Sequence, residues 1–278
     1  MMQAENGFLA DMHVHSRFSH DSESTLSDIY RATKEKKIDV VCITDHADVK
    51  PTSDMAQLIQ NRKDVLRAIE EERSKGADLL LGIELACGGF YPDHTIFEHA
   101  ERALLNIGHY DCVIGSVHSV GLTSTARNDY AAMSKMELIG YLDRYFDAVL
   151  SMLEYGNPDI LAHLTYPLRY INGKYSRNLD WRELKTKISE ILQQVIQKGI
   201  ALEVNTSCLG SYYDCLMPDE DILKLYLQMG GKLLTLGSDA HKPENVGKDF
   251  VPAIQRLKQW HVEELHYVKN RKFYAYKI

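Results

Sequence analysis

Seven short apolar runs, each followed by a longer segment with helical spacing, constrain this chain more than any other feature. The runs are 8–16, 39–46 (DVVCITDH), 78–85 (DLLLGIEL), 110–118 (YDCVIGSVH), 159–165 (DILAHLT), 200–206 (IALEVNT) and 233–239 (LLTLGSD). Helical patterns fill 25–37, 55–75, 95–106, 134–155, 180–198, 219–229 and 250–260. The clearest repeats Leu184, Ile188, Ile191, Leu192, Val195 and Ile196 on one face and stops at Gly199. Strands that are apolar throughout are buried on both faces, which requires a parallel sheet covered by helices. Seven such units in one α/β domain spanning 1–278 predict a closed or nearly closed βα-barrel, with an open doubly wound sheet as the competing architecture. An eighth strand would have to come from the tail KFYAYKI, and the count adopted is seven.

Hydrophobic residues at 45% supply a core of that size, and the formal net charge of −7 sets the partners. An acidic surface repels nucleic acid and anionic membranes, so neither is expected to bind, and an anionic substrate must be drawn in by local cations. The first twenty residues lack a basic leader pattern, and no apolar run approaches the roughly 20 residues of a membrane span; a cytoplasmic location is expected. Five scattered cysteines without a CxxC pair indicate neither a disulfide framework nor a zinc knuckle.

The C-terminal ends of the predicted strands carry the chemistry. Strand one ends at His13 and His15, two residues apart and therefore on one face, about 7 Å apart along the backbone. Strand two ends at His46, strand three at Glu84, strand four at His118, strand five at His163, and strand seven runs into Asp239 and His241. Six of the twelve histidines fall at these ends, where chance placement predicts about one. In parallel βα architectures this edge builds the active site. Imidazole and carboxylate suit zinc, iron or manganese, and eight such side chains exceed what one ion can coordinate, so two or three divalent ions are expected. Glu84 argues most strongly, because a carboxylate at a buried strand end is costly unless paired or metal-bound.

The ordered set DMHVHS, ITDH, GIE, GSVH, LAH and GSDAH resembles the motifs of the polymerase-and-histidinol-phosphatase (PHP) superfamily over Asp11 to His241. HSRFSHDS and LAHLTYPLRY are similar to segments of its monofunctional histidinol-phosphate phosphatases. The resemblance implies a distorted, TIM-barrel-like (β/α)7 barrel with a trinuclear site. It implies that His13, His15, Glu84 and Asp239 hold one ion, that Glu84 bridges to a second bound by His118 and His163, and that His46 and His241 bind a third. The last ligand to that ion is Asp21, six positions after His15, or its neighbour His20. The implied activity is hydrolysis of L-histidinol phosphate, a step in histidine biosynthesis, by a metal-activated hydroxide held at His13, Glu84 and Asp239.

Phosphoryl transfer demands positioning and charge stabilisation rather than a protein nucleophile, and the chain has neither a GxSxG elbow nor a Cys-His pair worth assigning. Arg17 and Arg169 are the expected phosphate grips, since guanidinium binds phosphate through paired hydrogen bonds. Asn205 at the end of strand six is a candidate pocket residue on the same face as Glu203, and Asp11 a candidate to orient the His13 ring. The loops 88–95 (GGFYPDHT) and 170–181 (YINGKYSRNLDW) are candidates for substrate selection. The alternatives are a PHP-type phosphatase of a sugar or nucleoside phosphate or phosphotyrosine protein, a non-catalytic PHP interaction module, and a metal-dependent amidohydrolase.

Overall fold

The computed structural model describes residues 7–50, 52–87, 95–121 and 123–278; most of the candidate loop 88–95 lies outside the described residues. Seven parallel strands follow one another in chain order: β1 (Ala10–Val14), β2 (Val40–Ile43), β3 (Leu80–Cys87), β4 (Cys112–Val117), β5 (Ile160–Leu161), β6 (Ala201–Asn205) and β7 (Leu234–Gly237). Between and after them run α1 (Leu26–Glu35), α2 (Met55–Ser74), α3 (Thr95–Leu105), α4 (Lys135–Tyr155), α5 (Lys185–Lys198), α6 (Glu220–Gln228) and α7 (Phe250–Gln259). Along β1 the apolar Ala10, Met12 and Val14 join the core, and the alternating face carries Asp11 and His13. Local chemistry starts and stops the helices: Ser134 and Glu137 form a reciprocal capping box on α4, and Gly199 ends α5 at φ +66°.

The barrel is distorted at the seam between β7 and β1. There the regular ladder gives way to one bridge, Val14 to Ala240, with the His15 amide donating to the Ala240 carbonyl at 2.9 Å. Asp11 clasps this seam: it accepts from the Ser238 amide at 3.0 Å, the Ser238 hydroxyl at 2.6 Å and the Gly247 amide at 2.8 Å. This corrects the role expected for Asp11. The seam-crossing donors claim its oxygens, and it reaches only the backbone amide of His13.

Two further departures bear on the site. The second predicted strand, 39–46, breaks after Ile43, and the chain resumes as a short strand His46–Val49 beside β3, pairing His46 with Glu84. Asp45 causes the break by turning its carboxylate to the Ser16 amide and hydroxyl and the Ser19 hydroxyl, at 2.6–2.8 Å. The tail KFYAYKI does not enter the barrel. It forms β9 (Lys272–Lys277), antiparallel to β8 (Glu264–Lys269), through a turn in which Asn270 and Arg271 have φ of 52° and 59°. A two-residue turn of this kind joins only antiparallel neighbours, whereas a parallel barrel strand needs a crossover. No helix among the described residues is long and apolar enough to cross a membrane.

Candidate metal centre

The carboxyl ends of the strands bring His13, His15, Asp21, His46, Glu84, His118, His163, Asp239 and His241 into one cluster around Glu84. The Glu84 side chain is fully buried, and five histidines surround its two oxygens. One oxygen lies 2.9 Å from His163 Nε2 and 3.0 Å from His118 Nε2. The other lies 2.6 Å from His46 Nδ1, 3.5 Å from His13 Nε2 and 3.7 Å from His15 Nε2. Asp239 adds an oxygen 3.3 Å from His15 Nε2 and 3.7 Å from His13 Nε2. Two residues of the cluster sit in left-handed backbone, His163 at φ +24° and Asp239 at φ +52°. Strain of this kind persists where a site over-determines it.

The donor set fits divalent ions. His13 Nε2, His15 Nε2, His46 Nδ1, His241 Nε2 and the second Glu84 oxygen are buried and, close as some of them lie to one another or to Asp21, none makes a hydrogen bond of acceptable angle among the described residues. Polar atoms left so, yet aimed at one another, are costly unless something else satisfies them. The 3.3–3.7 Å separations of His13 Nε2 and His15 Nε2 from the Glu84 and Asp239 oxygens match the roughly 3.4 Å edge of a tetrahedron whose corners lie ~2.1 Å from a common ion. Five potential ligand trios occur among the described residues: His13, His15 and Glu84; Glu84, His118 and His163; His15, His46 and His241; His46, Asp48 and His118; and His20, Asp21 and His46.

Electrostatics agree. Burial pushes the Glu84 carboxyl upward, but His118, His46 and His13 outweigh it and hold it well below the usual carboxylate range. Burial likewise opposes a charge on His118, yet Glu84 and Asp48 push its pKa up to about 9. His15 is driven well below the ordinary histidine value by burial and by neighbouring His46, leaving a neutral ring suited to a metal. Protons on His13, His46, His118 and His241, all with pKa values raised by neighbouring carboxylates against the effect of burial, are what a divalent cation would displace.

Asp21 reaches both outer histidines, with one oxygen 3.5 Å from His46 Nε2 and the other 3.3 Å from His241 Nε2. His20 is 72% exposed and lies 3.9 Å from Asp21. Sequence reasoning missed Asp48, which lies 3.1 Å from His118 Nδ1 and fixes that ring, and Glu203, which lies 2.7 Å from His13 Nδ1. The only signal for Glu203 was its position on an inward face of an apolar strand.

The cluster opens into a cavity of about 820 Å³ lined by His46, Asp48, His118, His163 and Asp239, together with Lys50, Arg127 and Arg169. Arg169 stacks on Tyr166 and Tyr170 at 5.7 and 5.4 Å, and its Nε is buried without a partner among the described residues. Arg17 and Asn205, the other expected substrate contacts, do not line the cavity. Arg17 is turned outward, where its guanidinium lies 5.5 Å from the Phe18 ring. The Asn205 amide is consumed internally, donating to Glu203 at 3.1 Å and accepting from the Ser207 amide and hydroxyl at 3.0 and 2.7 Å. Sequence reasoning did not single out Arg127, nine residues after His118, or Lys50, which follows the short strand His46–Val49 that was not anticipated.

The family model of the PHP domain matches residues 11–207. The chain belongs to the PHP domain family. It is 26% identical over 270 residues to the "Probable histidinol-phosphatase" of Clostridium acetobutylicum, covering 95% of this chain and 99% of that one. It is 28% identical to the protein of the same name from Thermotoga maritima, covering 97% and 100% of the two chains. Its fold matches the crystal structure of histidinol phosphate phosphatase from Lactococcus lactis, complexed with zinc, L-histidinol and phosphate. That match has a TM-score of 0.74 and 22% identity over 96% of this chain and 98% of the other. The PHP barrel of this chain is thus the seven-stranded form that its strand order displays.

Proposed function

We propose that this PHP protein, as one barrel domain, is a metal-dependent phosphomonoesterase that converts L-histidinol phosphate to L-histidinol and inorganic phosphate. The observation that carries the reading is a converging set of imidazoles and carboxylates that opens, at His46, His118, His163, Asp239 and His241, into a cavity also lined by Arg169, whose Nε has no hydrogen-bond partner among the described residues. Full-length relatives named as histidinol-phosphatases support the substrate. His13, His15, Glu84 and Asp239 hold one divalent ion; Glu84, His118 and His163 a second; Asp21, His46 and His241 a third. Zinc, iron and manganese all suit these donors.

When bound, such ions neutralise ester oxygens and lower the pKa of bound water towards 7. The protein supplies the rest. Glu84, fully buried, and Asp239, 10% exposed, balance the cluster's positive charge. Arg169, its guanidinium pinned by Tyr166 and Tyr170, grips the phosphate with charge-assisted hydrogen bonds. Lys50 and Arg127 line the same cavity and offset the net −7 charge for an incoming anion.

The test is release of inorganic phosphate from L-histidinol phosphate by purified protein, before and after chelation and with divalent metal restored. Turnover that chelation stops and metal restores is expected. A metal-loaded protein that releases no phosphate overturns the substrate.

A further inference from the structure

The inward face of β6 carries a carboxylate with no exposed function. Glu203 is 1% exposed and all its neighbours at hydrogen-bond distance are donors. One oxygen lies 2.7 Å from His13 Nδ1, and the other accepts from the His163 amide at 2.7 Å and the Asn205 side chain at 3.1 Å. The Asn205 amide cannot turn over, because its oxygen is already held by the Ser207 amide and hydroxyl. The fold makes room for this group. A Cβ on Gly237 of β7 would lie 2.0 Å from the Glu203 oxygen and 2.8 Å from His13 Cβ.

We propose that Glu203 is the positioning residue that sets His13 and His163 together, so that one buried carboxylate couples two metal subsites. The inference rests on the ligand assignment given above. By accepting the proton of His13 Nδ1, Glu203 leaves the lone pair of Nε2 free, and that nitrogen faces Glu84 and Asp239 without a partner among the described residues. Its second oxygen satisfies the amide of His163, whose left-handed backbone follows the end of the β5 ladder. The His163 ring then meets Glu84 at 2.9 Å. His13 and His163 belong to different subsites that share Glu84, so displacing Glu203 disturbs both.

The experiment compares zinc binding by the full chain with that of Glu203→Gln and Glu203→Asp, using competition against a chelator of known affinity, metal counting, and imidazole nitrogen NMR of the zinc-loaded forms. Glu203→Gln retains the shape but brings a donor to a carboxylate's place, and Glu203→Asp keeps the charge but shortens its reach. Both are expected to weaken zinc binding by roughly 10–100-fold at more than one ion, as loss of such outer partners does elsewhere. The strongly hydrogen-bonded Nδ1 proton signal of His13 should vanish or shift, with helical circular dichroism retained. Wild-type zinc affinity and an unchanged His13 signal in either folded variant overturn the proposal. Weakening confined to one ion overturns the coupling. A wild-type chain that binds no zinc, or a His13→Ala variant that loses none, instead overturns the ligand assignment beneath it.

Discussion

The two sides of the metal centre are built differently. On the inner side, His13, His15 and Glu84 are fully buried, and the rings are braced by the protein: His13 by Glu203 and His15 by the Ser19 hydroxyl at 3.1 Å. On the outer side, Asp21 is 44% exposed and His241 27% exposed. His241 is braced mainly by the carbonyl of Asp239 at 2.9 Å, within its own loop. A donor locked by buried partners loses little freedom when it binds an ion, whereas a donor on an open loop must be ordered at that moment. The difference teaches that solvent reaches this cluster through its outer donors, while the inner donors are sealed by the barrel.

The severest way to break this comparison is to remove its shared ligand. Glu84→Ala should abolish phosphate release and leave His118, His46 and His13 without their buried counter-charge. Breaking such a cluster costs about 3–5 kcal/mol, to be read from denaturant unfolding of the metal-free protein. Near-normal turnover would remove Glu84 from the centre. Graded chelation sharpens the contrast: metal counted by mass spectrometry should fall stepwise, the ion at Asp21, His46 and His241 leaving first. Simultaneous loss of all ions would show that inner and outer sides are not distinct.

Arg169→Ala should raise KM for the phosphate ester ~10–100-fold, the range set by about 1.5–3 kcal/mol for a charged hydrogen bond. An unchanged KM in steady-state kinetics would take Arg169 out of substrate binding. Arg17→Ala should change turnover by less than about twofold, as expected for an exposed residue that does not line the cavity; a larger loss would move it into the working site. The smallest effect is on stability against pH. In the chelated protein, His118 is raised to about 9 from an ordinary 6.5. Its protonated form therefore stabilises the fold fully below about pH 6.5, and that contribution is lost as pH rises through about 9. Melting temperature of the chelated protein should decline across that window, and metal should flatten the slope.

Much of this organisation was legible in the residue order because it depends on local periodicity. Apolar runs without polar alternation announce strands buried on both faces, and histidines ending those runs must share the carboxyl edge of a parallel sheet. Side-chain partnerships were less legible. Asp11 looked like the partner of His13 because it lies two residues away on one face, yet Glu203, 190 positions distant, holds that ring. Arg17 follows the first motif closely, but the turn closed by the Ser19 amide on the Ser16 carbonyl at 2.9 Å carries it outward. Arg127 enters the cavity from the connection after His118, and Lys50 from the end of the short strand His46–Val49, which the sequence reading had not separated from the second strand.

By itself, then, the sequence determined the seven repeated units, the edge on which chemistry gathers and the ligand types found there, since these follow from patterning within single elements. Only the tertiary structure decided which carboxylate holds which imidazole, that Asp21 rather than His20 spans His46 and His241, and which cations share the cavity. Those outcomes depend on barrel closure, where strands far apart in the chain meet at hydrogen-bonding distance and a seam clasp or a missing Cβ determines what fits.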